Sequence, residues 1–145
     1  MNEDERWMRE ALAEARLAAA EGEVPIGAVV VCAGHVVGRG HNQTERLHDV
    51  TAHAEMIALT AAMESLSAKY LVDCTLYVTL EPCTMCCGAT AWAQIGRIVF
   101  GATDDRRGYR RLSPSPLHPK TTVYSGVLAD ECQALVLDFF KSRRS

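Results

Sequence analysis

The sequence has no apolar run approaching the ~20 residues that a membrane span requires. Its first ten residues, "MNEDERWMRE", lack the apolar stretch of a secretory leader, which argues against export and for the cytoplasm. Internal repeats and low-complexity tracts are absent as well. There is no excess of positive charge, and a net charge of −3 by itself discourages a nucleic-acid partner. Six cysteines are present, but a disulfide framework does not suit a cytosolic chain of this size. With 145 residues, 48% hydrophobic and 23% charged, what remains is one soluble globular domain over residues 1–145.

The charge is unevenly spread. Residues 106–145 carry eight Lys and Arg against three Asp and Glu, leaving seven against fifteen for the rest. A basic C-terminal third can touch phosphates although the whole chain is acidic. Charge alone reads equally as solvated loop and helix surface.

Periodicity gives the elements. Trp7, Met8, Ala11, Leu12, Ala15, Ala18 and Ala19 follow a helical period over residues 4–20, and Gly22 and Pro25 end that helix. "GAVVVCA" and "HVVGRGH" read as strands joined by a hairpin turn at Ala33-Gly34. Residues 42–50 read as a polar loop and 52–66 as a second helix. "CTLYVTL" is a strand, residues 84–94 a helix, "GRIVFGA" and "KTTVYSG" two more strands, and "LADECQALVLDFFKSRR" a closing helix. The order α-β-β-α-β-α-β-β-α predicts an α/β domain of three layers, α/β/α, around a five-stranded mixed sheet. Right-handed crossovers would set successive strands side by side.

Chemistry concentrates in two places. In "EPCTMCCGA", Cys83 and Cys86 stand three apart at a helix start, where exposed N–H groups and the helix dipole favour thiolates. A lone C-x-x-C fits a redox pair or half of a structural zinc site, and there is no second C-x-x-C to complete the latter. "TAHAEMIAL" adds His53 and Glu55. Cys83, Cys86 and His53 make three ligands, which leaves a fourth position on zinc for water, the catalytic pattern. Cys87 diverges from its helical neighbour and reads as packing. Glu55 is the candidate proton carrier. Residues two apart do not share a helix side, so His53 and Glu55 can meet one ion only off the end of their helix. Two helix N-termini are therefore expected to converge on one metal.

H-x-E followed by P-C-x-x-C resembles the signature of the zinc nucleoside and nucleobase deaminases. The longer runs "EVPIGAVVV", "TAHAEMIAL", "TLYVTLEPCTMCCGA", "GRIVFGATD" and "GVLADECQALVLDFF" resemble the bacterial tRNA adenosine deaminases within that superfamily. The resemblance implies a cytidine deaminase-like fold and a homodimer acting on a tRNA anticodon loop. It also implies one Zn²⁺ per chain on His53, Cys83 and Cys86, with Glu55 shuttling protons. It further implies that Asn42 binds the target base, that the Asp104 region approaches the nucleic-acid backbone, and that Phe139 and Phe140 lie near flanking nucleotides. Without the family, Asn42 in "HNQT" reads equally as a turn residue, and the Phe pair as core of the last helix.

"DRRGYRRLSPSPLHPKTTVYSG" departs from that family: His118-Pro119 remains, but the segment is shorter and lacks an Asn-His. Its four arginines and Tyr109 suit RNA contact through phosphates and base stacking, or an exposed loop. Three other functions compete. A deaminase of free guanine or cytosine would share the zinc site. A non-catalytic partner subunit would be expected to lack Glu55. A redox C-x-x-C protein would leave His53 and Glu55 idle.

Overall fold

Both faces of the central strands are apolar, so each needs a covering layer. A computed structural model, which describes residues 2–144, supplies them. Helix α1 (Glu3–Ala20) begins with the Asn2 side chain accepting the Glu5 N–H and has acids throughout its first turn, both favourable at a helix N-terminus. Strands β1 (Gly27–Cys32) and β2 (His35–His41) form the expected hairpin, with Ala33 and Gly34 at φ 52° and 76° in its turn. Helix α2 (Thr44–Leu47) and helix α3 (Ala54–Leu66) follow, then β3 (Cys74–Leu80), α4 (Thr84–Trp92), β4 (Arg97–Ala102), a 3₁₀ turn at Tyr109–Arg111, β5 (Thr122–Ser125) and α5 (Ala129–Arg144).

The five strands lie in the order β2-β1-β3-β4-β5. β1 pairs antiparallel with both of its neighbours, and β3, β4 and β5 are parallel. The mixed sheet is the one expected, with one correction: β2 and β3 are successive but not adjacent. The hairpin occupies one side of β1, so β3 takes the other side and α3 spans the gap. Period-two burial feeds both layers. Ala28, Val30, Leu76, Val78, Ile98 and Phe100 pack with α3 and α4, while Val29, Val31, Tyr77 and Val99 pack with α1 and α5.

Helix α3 lies unusually close to β2. A Cβ on Gly38 would collide with the Ala58 carbonyl oxygen, and one on Gly40 with that of Ala54. The helix answers with Ala54, Ala58 and Ala62, all fully buried. This seam of small residues fixes where α3 begins, and so fixes His53.

Two local expectations are corrected. Residues 42–50 contain the short helix α2 rather than loop alone. The buried Glu23 carboxylate accepts N–H bonds from Glu45 (3.1 Å) and Arg46 (2.8 Å), a cap supplied from far along the chain. Tyr109 is not a free stacking ring. It is buried edge-to-face against Phe100, with centroids 6.2 Å apart.

Candidate active site

β2 and β3 run in the same direction, and each is followed by a helix. The starts of α3 and α4 therefore lie at one end of the sheet, beyond the carboxyl ends of the strands, where α/β folds commonly place ligands. His53 is the N-cap of α3 and Cys83 the N-cap of α4, both with extended backbone. Cys86 sits in the first turn of α4. The two termini converge: His53 Nδ1 lies 3.6 Å from Cys83 Sγ and 3.5 Å from Cys86 Sγ. The three ligand atoms all fall within 4.8 Å of one another.

These separations test the fit of a metal. Tetrahedral zinc with Zn–S of about 2.3 Å and Zn–N of about 2.0–2.1 Å requires S···N of about 3.6 Å. Proton affinities point the same way. Cys83 is pulled down to about 3, first by its hydrogen bond with Cys86 and also by His53. Cys86 is driven strongly upward, first by that same bond to Cys83 and then by burial. The opposite shifts describe one sharing: two sulfurs this close cannot both ionise without a cation between them. His53 is shifted upward, mainly by its bond with Cys83. A dication suits this donor set.

Glu55, in the first turn of α3, is buried beside the trio. Burial pushes its carboxyl up to about 7, partly offset by its backbone amide. A carboxyl poised there can take and return protons near neutral pH. Cys87 is fully buried and points to the Pro82 carbonyl, 3.7 Å away, so its role is packing.

With Cys86 fully buried behind them, His53, Cys83 and Glu55 line a cleft of about 970 Å³. That is the upper end of the ~300–1,000 Å³ range for small-molecule sites. Val24, Ile26 and Asn42 form one wall, residues 103–107 another, and Val136, Leu137 and Phe140 of α5 a third. Asn42 is buried, and its N–H donates to the Ile26 carbonyl at 3.1 Å. Asp104 lines the cleft, but its Oδ1 accepts the N–H groups of Arg106 (3.0 Å) and Arg107 (3.1 Å), so it also shapes its own loop. Phe139 is not brought to the cleft. It borders a separate hollow beside Gly22 and Thr44, with the Arg143 guanidinium 4.7 Å from its ring, while Phe140 faces the cleft.

Glu81 opens the "EPCTMCCGA" stretch, whose ligand spacing assigns it no role. Its side chain is 1% accessible, and its carboxylate binds the loop that forms the cleft wall. A glutamate between the end of a largely apolar strand and the P-C-x-x-C run is the signal the sequence offers.

Comparison with known proteins agrees with this geometry. Residues 1–102 match the family described as the cytidine and deoxycytidylate deaminase zinc-binding region, which sets the class: a deaminase with a zinc-binding fold. The tRNA-specific adenosine deaminase of Bacillus subtilis (strain 168) is 41% identical over 99% of this chain and 92% of its own length. The chloroplastic tRNA(adenine(34)) deaminase of Arabidopsis thaliana is 43% identical over 97% of this chain, which spans only 12% of that longer protein. A solved structure from studies of A-to-I editing by tRNA:A34 deaminases superposes with a TM-score of 0.84 and 43% identity, covering 90% of this chain and 98% of that one. The chain belongs to the tRNA-specific adenosine deaminase branch of the zinc-dependent deaminase family.

Proposed function

We propose that this protein hydrolytically deaminates adenosine to inosine at the wobble position of a tRNA anticodon. The observation that carries the reading is Glu55, a buried carboxyl beside three metal-ligand atoms on the wall of an open cleft, in a chain like the tRNA-specific enzymes along almost its whole length.

In this reading His53, Cys83 and Cys86 hold one zinc ion, a Lewis acid that makes water acidic enough to react near neutral pH. Glu55 accepts a proton from the attacking water and delivers it to adenine N1 as the water oxygen bonds to C6. Glu55 then carries the second proton to the amino nitrogen, and the C6–N bond breaks to release ammonia. Asn42, on the cleft wall, orients the base. Leu80, Ala102, Val136 and Leu137 give the cleft apolar surface that limits water around it. An anticodon loop presents its bases partly unstacked, which lowers the cost of bringing one to Glu55.

The reading extends to a single-domain cytoplasmic homodimer. Among the described residues no helix is long and apolar enough to cross a membrane. Trp92 at the end of α4 is 86% exposed, an apolar side chain that a second copy would cover. Light scattering on the purified protein tests the dimer.

The deciding experiment incubates the zinc-loaded protein with an anticodon stem-loop carrying adenosine at the wobble position and follows inosine. Inosine formation there, with little ammonia from free guanine or cytosine, is the expected result. Ammonia from the free bases, with none from the stem-loop, would transfer the assignment to a base deaminase.

A further inference from the structure

Glu81 is a buried carboxylate placed outside the metal trio and outside the proton relay. Its Oε1 accepts the Asp104 N–H at 3.0 Å and the Arg110 Nε–H at 3.1 Å, and its Oε2 accepts the Arg110 N–H at 2.9 Å. One side chain thus holds both ends of residues 104–110. The next two residues add to the strap: the Pro82 carbonyl accepts the Tyr109 N–H at 3.0 Å, and Cys83 forms an isolated bridge with Gly108. Gly108 rests directly on the carboxylate, and a Cβ there would strike Glu81 and the Asp104 carbonyl.

A carboxylate is costly to bury, and here three donors from a single loop meet it. Charge-assisted bonds of this kind are roughly twice as strong as neutral ones. Inside the loop, Asp104 turns the chain so that Arg106 and Arg107 border the cleft. The strand end that carries Glu81 also carries Cys83, so the arginine-bearing wall and the metal trio are referred to one rigid segment.

We propose that Glu81 is a positioning residue: it fixes residues 104–110 against the mouth of the metal site, so that this wall grips the RNA on either side of the target base. The proposal rests on the tRNA reading above for its substrate and on the hydrogen bonds for its geometry. The hydrogen bonds of Glu81 go to the loop rather than to His53, Glu55, Cys83 or Cys86, so its loss should act on binding rather than on the chemical step.

The test compares native protein with Glu81→Gln, which keeps the shape and loses the charge, and with Gly108→Ala, which keeps the charge and forces the loop off it. In both, KM for the anticodon stem-loop should rise about tenfold or more while kcat stays within about twofold. Amide exchange over residues 104–110 should accelerate at least ~10-fold, and zinc should stay at one ion per chain. Unchanged KM despite faster exchange would overturn the proposal, as would loss of kcat together with zinc. Unchanged exchange in both variants would show that Glu81 does not hold the loop. Should Glu81→Gln fail to fold, Gly108→Ala decides by the same measures. If the native protein makes no inosine, it is the tRNA reading that fails, and amide exchange still decides whether the strap exists.

Discussion

His53 and Cys83, thirty positions apart in the chain, are each the cap of a helix, and their ligand atoms lie 3.6 Å from one another. Neither side chain bonds the amides of its own helix. Both are thereby left for a metal. His53→Ala should lower zinc well below one ion per chain by elemental analysis and abolish deamination. Full zinc occupancy in that variant would remove His53 from the ligand set.

Glu55 stands apart from the ligands in what it should cost. Glu55→Ala should bind zinc normally and lose about 100- to 10,000-fold in kcat, the range for loss of a positioned acid–base group. Stem-loop affinity should survive. Deamination at near-native rates would end its assignment as the proton carrier.

The seam between β2 and α3 leaves no room for a side chain. Gly40→Val should destabilise the fold by about 1–3 kcal/mol, the usual cost of overpacking, because the atom it meets is backbone. Urea denaturation measures this. A shift of α3 also moves His53, so residual zinc should fall in parallel.

Asp4 and Arg97 form a 2.7 Å ion pair between α1 and β4. The Arg97 guanidinium holds the Asp4 carboxyl below its usual value. A depressed carboxyl stabilises the fold fully above its unfolded pKa of about 3.9 and loses that effect as pH falls through the lower folded value. Asp4→Asn should therefore be less stable than native by about 1–2 kcal/mol at pH 7. The gap should close as pH drops below about 3.9, where native Asp4 protonates in turn. Thermal denaturation across this range checks it, and a gap independent of pH would refute the link.

Much of this was legible in the sequence because it is local. Helical and strand periods located the main elements, and the two-residue spacing of His53 and Glu55 required a helix end rather than a helix side. What escaped depends on distant partners. Glu23 caps α2 from about twenty residues away, and the partners of Glu81 lie in a loop 23 to 29 residues further on. Tyr109 read as exposed because its loop is polar, yet Pro82 and Phe100 draw it into the core. Phe139 and Phe140 are adjacent on α5, so about 100° of helix rotation separates them. Only the seating of α5 on the sheet determines which one meets the cleft. The position of β3 likewise depended on which side of β1 the hairpin had already filled.

Reversal of β1 between β2 and β3 divides the molecule into two ends with different tolerances. The turns at 33–34, 67–73 and 93–96 all lie at the end opposite the metal trio. Chain can be lengthened at the exposed Ala33-Gly34 turn without disturbing a ligand, whereas buried Leu71, Ala93 and Ile95 tie the other two turns to the core. At the other end the same change would pull on His53, Cys83 or the wall at 103–107. Fusion partners and reporter groups therefore belong at the 33–34 turn, where the enzyme can carry cargo with its cleft unobstructed.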